Sequence, residues 1–563
     1  MQHKDYLMTY CVKETALMLV QALKEYGVTD VFASPGSRCA PLTVALVRDG
    51  EIRVHPVVDE RSSAFIAMGF ASVSRRPAML LCTSGTALLN YSAAVAEAFY
   101  RNVPLLIVSA DRPEEWIGQD DSQTIRQPGA FGPHVKASYS LRGEIPDSNY
   151  KWVVNRTLNE AMQQLRSGRP GPVHLNISFT EPLFSNDPTT RTEASFRRIG
   201  LLEPPQKLDA GVARTLAEEI AGHNVLIVSG FCPPSAEMNK AFAKLAALPN
   251  VVVLADALAN INAPGIIAQP EATLRAGTAD STGAPLKSPV SHPDILITFG
   301  GSLLSRDMKE WLRALDVKEH WHVGKNGWVI DSYFSLTRRV EIAGTDFFPR
   351  LANALAYLAR RDKPEHTRFR TLWEQARAIA ADLPATDEWS ALTAIDRVLD
   401  FLPKEWNLQL SNGLTPRYAM NSAAASKFHR RDCNRGVSGI DGSVSTAVGA
   451  SLAYGGSTLL ITGDMSMQYD LAALSSGLLS KSFKAVVINN NGGGIFRKIN
   501  ATRPLPETET YLSCRLHLPL KQLCAGYGIS YYRADSQESL REQLTLFRDN
   551  HRSPAILEII VPD

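Results

Sequence analysis

Several features are scarce or missing in this sequence. No uninterrupted apolar run reaches the roughly 20 residues needed to span a bilayer. Lys4, Asp5, Lys13 and Glu14 interrupt the first apolar residues, so the apolar core of a signal peptide is also missing. Neither sign of charge dominates: 59 Lys and Arg face 57 Asp and Glu over 563 residues, a net charge of +2. That balance argues against nucleic acid or another polyanion as partner. The seven cysteines, at 11, 39, 82, 232, 433, 514 and 524, form no C-x-x-C pair. Their scatter predicts neither a disulfide framework nor a structural zinc site. G-x-G-x-x-G, G-x-x-x-x-G-K-[ST] and H-E-x-x-H are all absent, so any phosphate site must be built in another way. The sequons at Asn90, Asn155 and Asn176 carry little weight without a secretion signal. His320 and His322 in EHWH read as alternate strand positions on a polar face rather than a metal pair. A cytoplasmic protein with no transmembrane segment is expected.

What is present is globular: 45% hydrophobic and 21% charged residues, at a length that suggests about three domains. Glu14–Tyr26 carries apolar residues at helical spacing, and Pro41–Val47 reads as a second helix. Val31–Phe32, Arg53–Val58, Ala78–Cys82, Leu105–Ser109 and Val173–Ile177 read as buried strands between helices. The pattern returns at Val225–Ser229, Val251–Ala255 and Ile295–Phe299. It returns again at Leu408–Ser411, Thr458–Thr462, Ala485–Ile488 and Ala555–Ile560. Continuous apolar strands alternating with helices predict parallel sheets covered on both faces. Two polar stretches, Ser185–Arg198 and Arg360–Arg368, read as linkers. The expected fold is therefore α/β, with three consecutive doubly wound parallel-sheet domains at 1–187, 188–368 and 369–563.

The strongest chemical signal is Leu459–Thr462 followed by Gly463-Asp464, then Val486–Ile488 followed by Asn489-Asn490-Asn491-Gly492-Gly493-Gly494. Asp464 and Asn490 are 26 positions apart, about one strand–helix–strand crossover, which places two strand ends side by side at one sheet edge. Aspartate and asparagine offer hard oxygen ligands suited to magnesium, and the glycines let the backbone approach a diphosphate. Either half alone would read as a helix cap or a turn. A second signal is Asp59-Glu60-Arg61 at a strand end before SSAFIAMGFASVS. There, acids suit a helix N-terminus, and a partly buried glutamate can hold a proton for a heterocycle.

Glu60 together with the GD-x(~25)-NN pattern resembles the thiamine-diphosphate enzymes of the decarboxylase type. Longer strings narrow the resemblance: SPGSR from Ser34, DERSSAFIAMGFA from Asp59, TSGTA from Thr83, ADRP from Ala110, QTIRQPGAF from Gln123, NRGVSGIDG from Asn434 and NNNGGGIF from Asn489. In this order and through all three domains they look like the 2-succinyl-5-enolpyruvyl-6-hydroxy-3-cyclohexene-1-carboxylate synthases, the menaquinone-pathway branch of that group.

The resemblance implies a transferase that uses thiamine diphosphate with Mg2+ or Mn2+. Its reaction would decarboxylate 2-oxoglutarate and add the resulting succinyl carbanion to isochorismate in conjugate fashion. It implies a cofactor held between subunits, hence a homodimer or a dimer of dimers. Carried over, Glu60 is the catalytic acid–base group on the aminopyrimidine. Asp464, Asn490 and the Gly492 carbonyl are the metal ligands, and Thr83, Ser438, Ile440, Gly463, Met465 and Ser466 complete the cofactor site. Two dianionic substrates need fixed cations and donors. The matching strings supply Ser37, Arg38, Arg112, Gln123, Arg306, Arg417 and Arg435, with Ile495 and Phe496 as an apolar wall. Two positions depart from the family pattern: Arg306 stands where lysine is common, and Gly413 where serine is common. Ser37 either caps the helix after it or touches a carboxylate. For Thr83, Ser84 and Thr86 capping of the next helix is the favoured reading. The alternatives are an acetolactate-synthase-like carboligase and a non-catalytic protein that keeps the fold. The arginines argue against the first; the presence of Glu60, Asp464 and Asn490 argues against the second.

Overall fold

The computed structural model describes residues 10–11, 13–185, 194–204, 207–278, 290, 292–325, 327–362, 367–382, 387–515 and 517–562. Most of Ser185–Arg198, the middle of Arg360–Arg368, and Lys4 and Asp5 lie outside the described residues. By internal contacts the chain divides into two compact units. The first comprises Met1–Glu203, Gly436–Gly455 and Ser466–Phe483; the second comprises Pro204–Arg435, Gly456–Met465 and Lys484–Asp563. No helix among the described residues is long and apolar enough to cross a membrane.

The first unit is built on a six-stranded parallel sheet ordered Arg53–Pro56, Asp30–Ala33, Ala78–Cys82, Leu105–Asp111, Val173–Ser178, Ser138–Arg142. Its inner strands are buried along their length because helices cover both faces. Glu14–Tyr26 is helical over the predicted range, and Gly27 ends it in the left-handed region, φ 69°. Ser138–Arg142 was not legible as a strand. It is a polar edge strand paired on one side only, so it lacks the apolar run that burial imposes on the others. Asn155 and Asn176, at two of the sequons, are buried.

The second unit holds two parallel sheets. One is ordered Val251–Ala255, Val225–Ser229, Ile295–Phe299, Glu319–Val323, Arg338–Val340. The other runs Arg430–Cys433, Asn407–Leu410, Thr458–Gly463, Phe483–Asn489, Ala555–Ile560, Ser530–Ala534. His320 and His322 do occupy alternate positions of a strand, but the face is buried rather than polar. Thr298 Oγ1 lies 2.8 Å from His320 Nε2 and 3.0 Å from His322 Nδ1, and Ser335 Oγ lies 3.0 Å from His320 Nδ1. Burial pushes His320 down to about 4, so it serves as a neutral core hydrogen-bonding group.

Within the first unit, helix Glu60–Ser74 packs against helix Ser443–Ala453, from a far later part of the chain. Glycine makes this possible. A Cβ on Gly69 would stand 2.0 Å from the Thr446 carbonyl oxygen, and one on Gly449 would stand 1.8 Å from that of Ile66. Alanine is the better helix former by about 1 kcal/mol, but forcing a methyl into a closed backbone contact costs about 1–3 kcal/mol or more. Gly449→Ala is therefore expected to lower the thermal midpoint in a melting experiment. A midpoint equal to or above that of the unsubstituted protein would show that the two helices do not depend on this approach.

Candidate active site

Ser37, Arg38, Thr83, Arg112 and Gln123 lie in segments that follow the carboxyl ends of the first unit's parallel strands, where an α/β sheet opens toward ligands, and Glu60 opens the helix after another of them. After Asp30–Ala33, Gly36 lies so close to Thr83 that a Cβ would meet its side chain at 2.2 Å. The Thr83 hydroxyl is buried without a partner among the described residues. Thr86 holds the N-cap of Ala87–Asn90 in helical conformation (φ −66°, ψ −16°) and makes no side-chain cap bond. The capping reading of these hydroxyls therefore fails: capping needs the extended conformation that aims the hydroxyl at the free N–H groups. Ser37 is exposed and caps nothing either, since Cys39 holds the N-cap of Ala40–Asp49. Arg38 is buried, donates to the Phe179 carbonyl at 3.1 Å and pairs with Glu181 at 3.2 Å.

Asp59 and Glu60 divide the two roles open to an acidic helix start. Asp59 Oδ1 accepts from the Ser62 N–H at 2.7 Å and is the cap. Glu60 is half-buried and receives the Asn90 side-chain amide on Oε2 at 3.3 Å. Near it lie the Cys82 thiol and the Tyr91 phenol, both pushed well above their ordinary values, first by burial and further by the charge of Glu60. Glu60 thus projects beside groups that stay neutral.

Arg112 pairs with Asp121 at 3.0 Å. Gln123, at φ 61°, donates to the Ser84 carbonyl at 3.3 Å. Four residues on, the fully buried Gln127 accepts from the Gly85 N–H at 2.8 Å and donates to the Ala110 carbonyl at 3.2 Å and to Asn176 at 2.8 Å. It ties together the loops that carry Thr83, Arg112 and Gln123.

Gly436–Gly442 also belongs to the first unit. Glu97, only 3% exposed, accepts from the backbone N–H groups of Gly436 (2.7 Å), Val437 (2.6 Å) and Ser438 (3.4 Å). Three donors converging on one buried carboxylate make a strong clamp. It holds Ser438 in the left-handed region, φ 73°. Ile440 follows, its carbonyl accepting from the Ser466 hydroxyl at 2.6 Å. Asp470 accepts from the Ser445 N–H and hydroxyl, both at 2.7 Å, and burial pushes its carboxyl up to about 6.

In the second unit, Asp464 follows the strand Thr458–Gly463 and is 2% exposed. Its Oδ1 accepts from the Met465 N–H and its Oδ2 from the Gly492 N–H, each at 2.8 Å. The two strand ends are thereby joined as the 26-position spacing predicts. Gly492 sits at φ 134°, where a Cβ would meet the Ser513 carbonyl oxygen at 2.6 Å, and a Cβ on Gly494 would meet Asn490 Nδ2 at 2.3 Å. Burial pushes the Asp464 carboxyl up, opposed by these N–H donors. Ile495 and Phe496 open the short helix Ile495–Lys498 and are half-buried rather than core. Arg417 donates to the Gly413 carbonyl, and Arg435 donates to Asn412 Oδ1 at 3.1 Å. Gly413 lies at φ 97°, a conformation that explains glycine where a serine is common. Arg306 points elsewhere: its side chain is 81% exposed and pairs with Glu310.

Two family profiles match the chain, thiamine pyrophosphate enzyme N-terminal TPP binding domain over residues 13–130 and C-terminal TPP binding domain over 415–559. Proteins named 2-succinyl-5-enolpyruvyl-6-hydroxy-3-cyclohexene-1-carboxylate synthase are similar over nearly the full length. The one from Porphyromonas gingivalis is 36% identical, covering 98% of this chain and 95% of the relative. That from Desulfotalea psychrophila is 34% identical (95% and 96%), and that from Flavobacterium johnsoniae 32% (97% and 96%). The chain belongs to this synthase family.

Like the family, it has thiamine diphosphate as cofactor. The residues present fit that group. The first profile spans Glu60 and the orphaned hydroxyl of Thr83, and the second spans Asp464, Asn490 and the glycine cradle. Among the described residues no three His, Cys, Asp or Glu side chains gather as a metal cage. A single buried carboxylate beside neutral amide and carbonyl oxygens suits a hard cation already carrying phosphate oxygens. Sequence reasoning missed Glu97 and gave Gln127 no role of its own, although it lies within the string from Gln123. Both act on backbone groups, and no motif spacing reports that.

Glu97→Gln keeps the shape but replaces a charged acceptor by a neutral amide whose NH2 faces donors. It is expected to weaken thiamine diphosphate affinity at least tenfold in calorimetry with Mg2+ present, while the melting midpoint falls by only a few degrees. Unchanged affinity would remove Glu97 from its positioning role.

Proposed function

We propose that this chain catalyses the reaction in its family's name, in which 2-oxoglutarate loses CO2 and the four-carbon remainder adds to isochorismate. The product is 2-succinyl-5-enolpyruvyl-6-hydroxy-3-cyclohexene-1-carboxylate, in menaquinone biosynthesis. The observation that carries this reading is that Arg38, Arg112, Arg417 and Arg435 each follow the carboxyl end of a parallel strand in a protein of net charge +2. Arg417 and Arg435 lie together in the second unit, and Arg38 and Arg112 sit on strand-end loops of the first. Two substrates with two carboxylates each require such a set, and pyruvate does not.

When bound, thiamine diphosphate supplies a nucleophilic carbon for the 2-oxo group and an electron sink for the decarboxylation. Glu60 holds the proton on the pyrimidine side of that cofactor, positioned by the Asn90 amide. Thr83, Ser438, Ile440, Gly463, Met465 and Ser466 hold the cofactor body. Asp464, Asn490 and the Gly492 carbonyl hold Mg2+ or Mn2+ against its diphosphate. Ser37, Arg38, Arg112, Gln123, Arg417 and Arg435 take the substrate carboxylates; Arg306, exposed and paired with Glu310, is left out of this set. Ile495 and Phe496 exclude water from the reacting carbons. We assign the protein to the cytoplasm, the chain to segments 1–187, 188–368 and 369–563, and the working form to a homodimer or a dimer of dimers. In that form Glu60 of one chain and Asp464 of its partner serve one cofactor.

The first test is isochorismate consumption by purified protein with thiamine diphosphate and Mg2+, with 2-oxoglutarate and pyruvate compared as donors and the product weighed by mass spectrometry. Consumption that requires 2-oxoglutarate and adds the succinyl unit is expected. Turnover of pyruvate alone would replace this reading with that of another carboligase.

Glu60→Gln should keep cofactor affinity and lose turnover, whereas Asp464→Ala should lose metal-dependent affinity. Each alone is expected to be inactive. Co-expressed at equal levels, half of the resulting dimers pair one variant chain with the other and carry one intact site of two, so recovery of about a quarter of full activity is expected. No recovery would place each site within one chain.

A further inference from the structure

The helix Arg306–Arg313 begins one residue after its Ser305 cap and offers two basic side chains near its start, which point to different surroundings. Arg306 lies out in solvent against Glu310, and its neighbour Asp307 pairs with Arg275 at 2.8 Å. Lys309, one turn on, is half-buried and donates to Ser302 Oγ at 3.2 Å. No carboxylate pairs with it among the described residues. Around it stand Arg435, Asp256, Arg313 and Arg417, all in the same unit.

The one acid in that set does not serve as an ion-pair partner. Asp256, at the end of the strand Val251–Ala255, is buried and spends its carboxylate on backbone donors, the N–H of Leu304 at 2.6 Å and that of Leu258 at 3.1 Å. Those bonds fix the segment that leads into the Lys309 helix. Arg417 and Arg435 are likewise turned to backbone and amide oxygens, and the Nε of Arg435 is buried with no partner among the described residues. Desolvation and the neighbouring arginines work against the charged form of Lys309 and outweigh Asp256; desolvation and Arg435 likewise work against that of Arg417 and outweigh Glu271. Leu304, just before the Lys309 helix, packs on Met420 of the helix that carries Arg417, so three cations from three separate elements stand together, while the two acids that face them are engaged elsewhere, Asp256 with backbone N–H groups and Glu271 with Arg275. Like charges brought together out of water are costly, and an anion that enters relieves the cost.

We propose that Lys309, and not Arg306, is the side chain of this helix that holds a substrate carboxylate, completing with Arg417 and Arg435 a three-cation subsite for a dicarboxylic acid. This rests on the reading above for the identity of the acids, but not for the existence of the subsite. In this chain the ammonium is delivered one helical turn after the position where the family commonly carries its lysine. Arg306, at that position, is left to the surface pair with Glu310.

The test uses the holoenzyme with thiamine diphosphate and Mg2+. 2-Oxoglutarate and isochorismate are titrated separately by calorimetry into the unsubstituted protein, Lys309→Met, Lys309→Arg and Arg306→Ala, with cofactor affinity and melting midpoint as controls for folding. Lys309→Met is expected to lose at least tenfold in affinity for one of the two acids, Lys309→Arg to keep most of it, and Arg306→Ala to change either by less than threefold. Equal binding by Lys309→Met, a larger loss in Arg306→Ala, or no binding of either acid by the unsubstituted protein would overturn the proposal. Binding that depends on Lys309 in a protein that does not turn the two acids over would sustain the subsite and overturn the assigned reaction.

Discussion

The close backbone approach at Gly69 and Gly449 is the constraint on which the first unit's chemistry rests. It seats the helix Ser443–Ala453 directly on the helix that begins with Glu60, although nearly 400 positions separate them in the chain. Once that helix is seated, the loop before it has little freedom. Gly442 lies against Phe65 so tightly that a Cβ would meet the ring at 2.2 Å. The backbone N–H groups of Gly436, Val437 and Ser438 then converge on Glu97, a residue of the helix Ser92–Arg101. At the far side Asp470 closes the helix start through Ser445. The strained Ser438 is affordable only because packing and three hydrogen bonds over-determine it.

In the second unit Lys309, Arg417 and Arg435 stand together with no carboxylate ion pair among the described residues. A carboxylate placed against each arginine would make stable pairs and a poor anion site. Here the acids are bound to the backbone instead: Asp256 by Leu304 and Leu258, Asp464 by Gly492 and Met465. These bonds satisfy each buried carboxylate and leave its charge available at a distance. The same economy appears at Arg431, whose guanidinium rests on the carbonyls of Ser426 (2.7 Å) and Phe428 (3.1 Å), and burial pushes it down to about 10.

Much of the fold was legible because parallel strands covered on both faces must be apolar throughout. Ala78–Cys82, Val225–Ser229, Val251–Ala255, Ile295–Phe299 and Ala555–Ile560 are strands over the predicted ranges. Arg430–Cys433 is just as buried, yet its sequence, RRDC, reads as surface. Its charges are met by Asn262, by Asp432 and by carbonyls of the preceding turn, none of which announces the pairing in advance. The histidines of EHWH failed for the same reason. Their alternation was right, but the burial came from the flanking strands and the hydroxyl of Thr298.

The candidate site divides along the same line. Asp464 and the Asn489–Gly494 run were readable because a crossover of fixed length forces two strand ends together, and the Gly492 N–H on the Asp464 carboxylate is the physical form of that spacing. Asp59 and Glu60 were readable as acids at a helix start, but only the bond from Ser62 shows that Asp59 is the cap and leaves Glu60 uncommitted to it. Glu97 and Lys309 were not readable at all. Each looks like an ordinary charged position of an amphipathic helix, and what distinguishes it is a partner set from other elements: three backbone N–H groups for one, two arginines and a sequestered acid for the other. Motifs mark the groups proposed to meet the cofactor. Side chains that aim those groups answer to the geometry of this one chain and are found only when the fold is in hand.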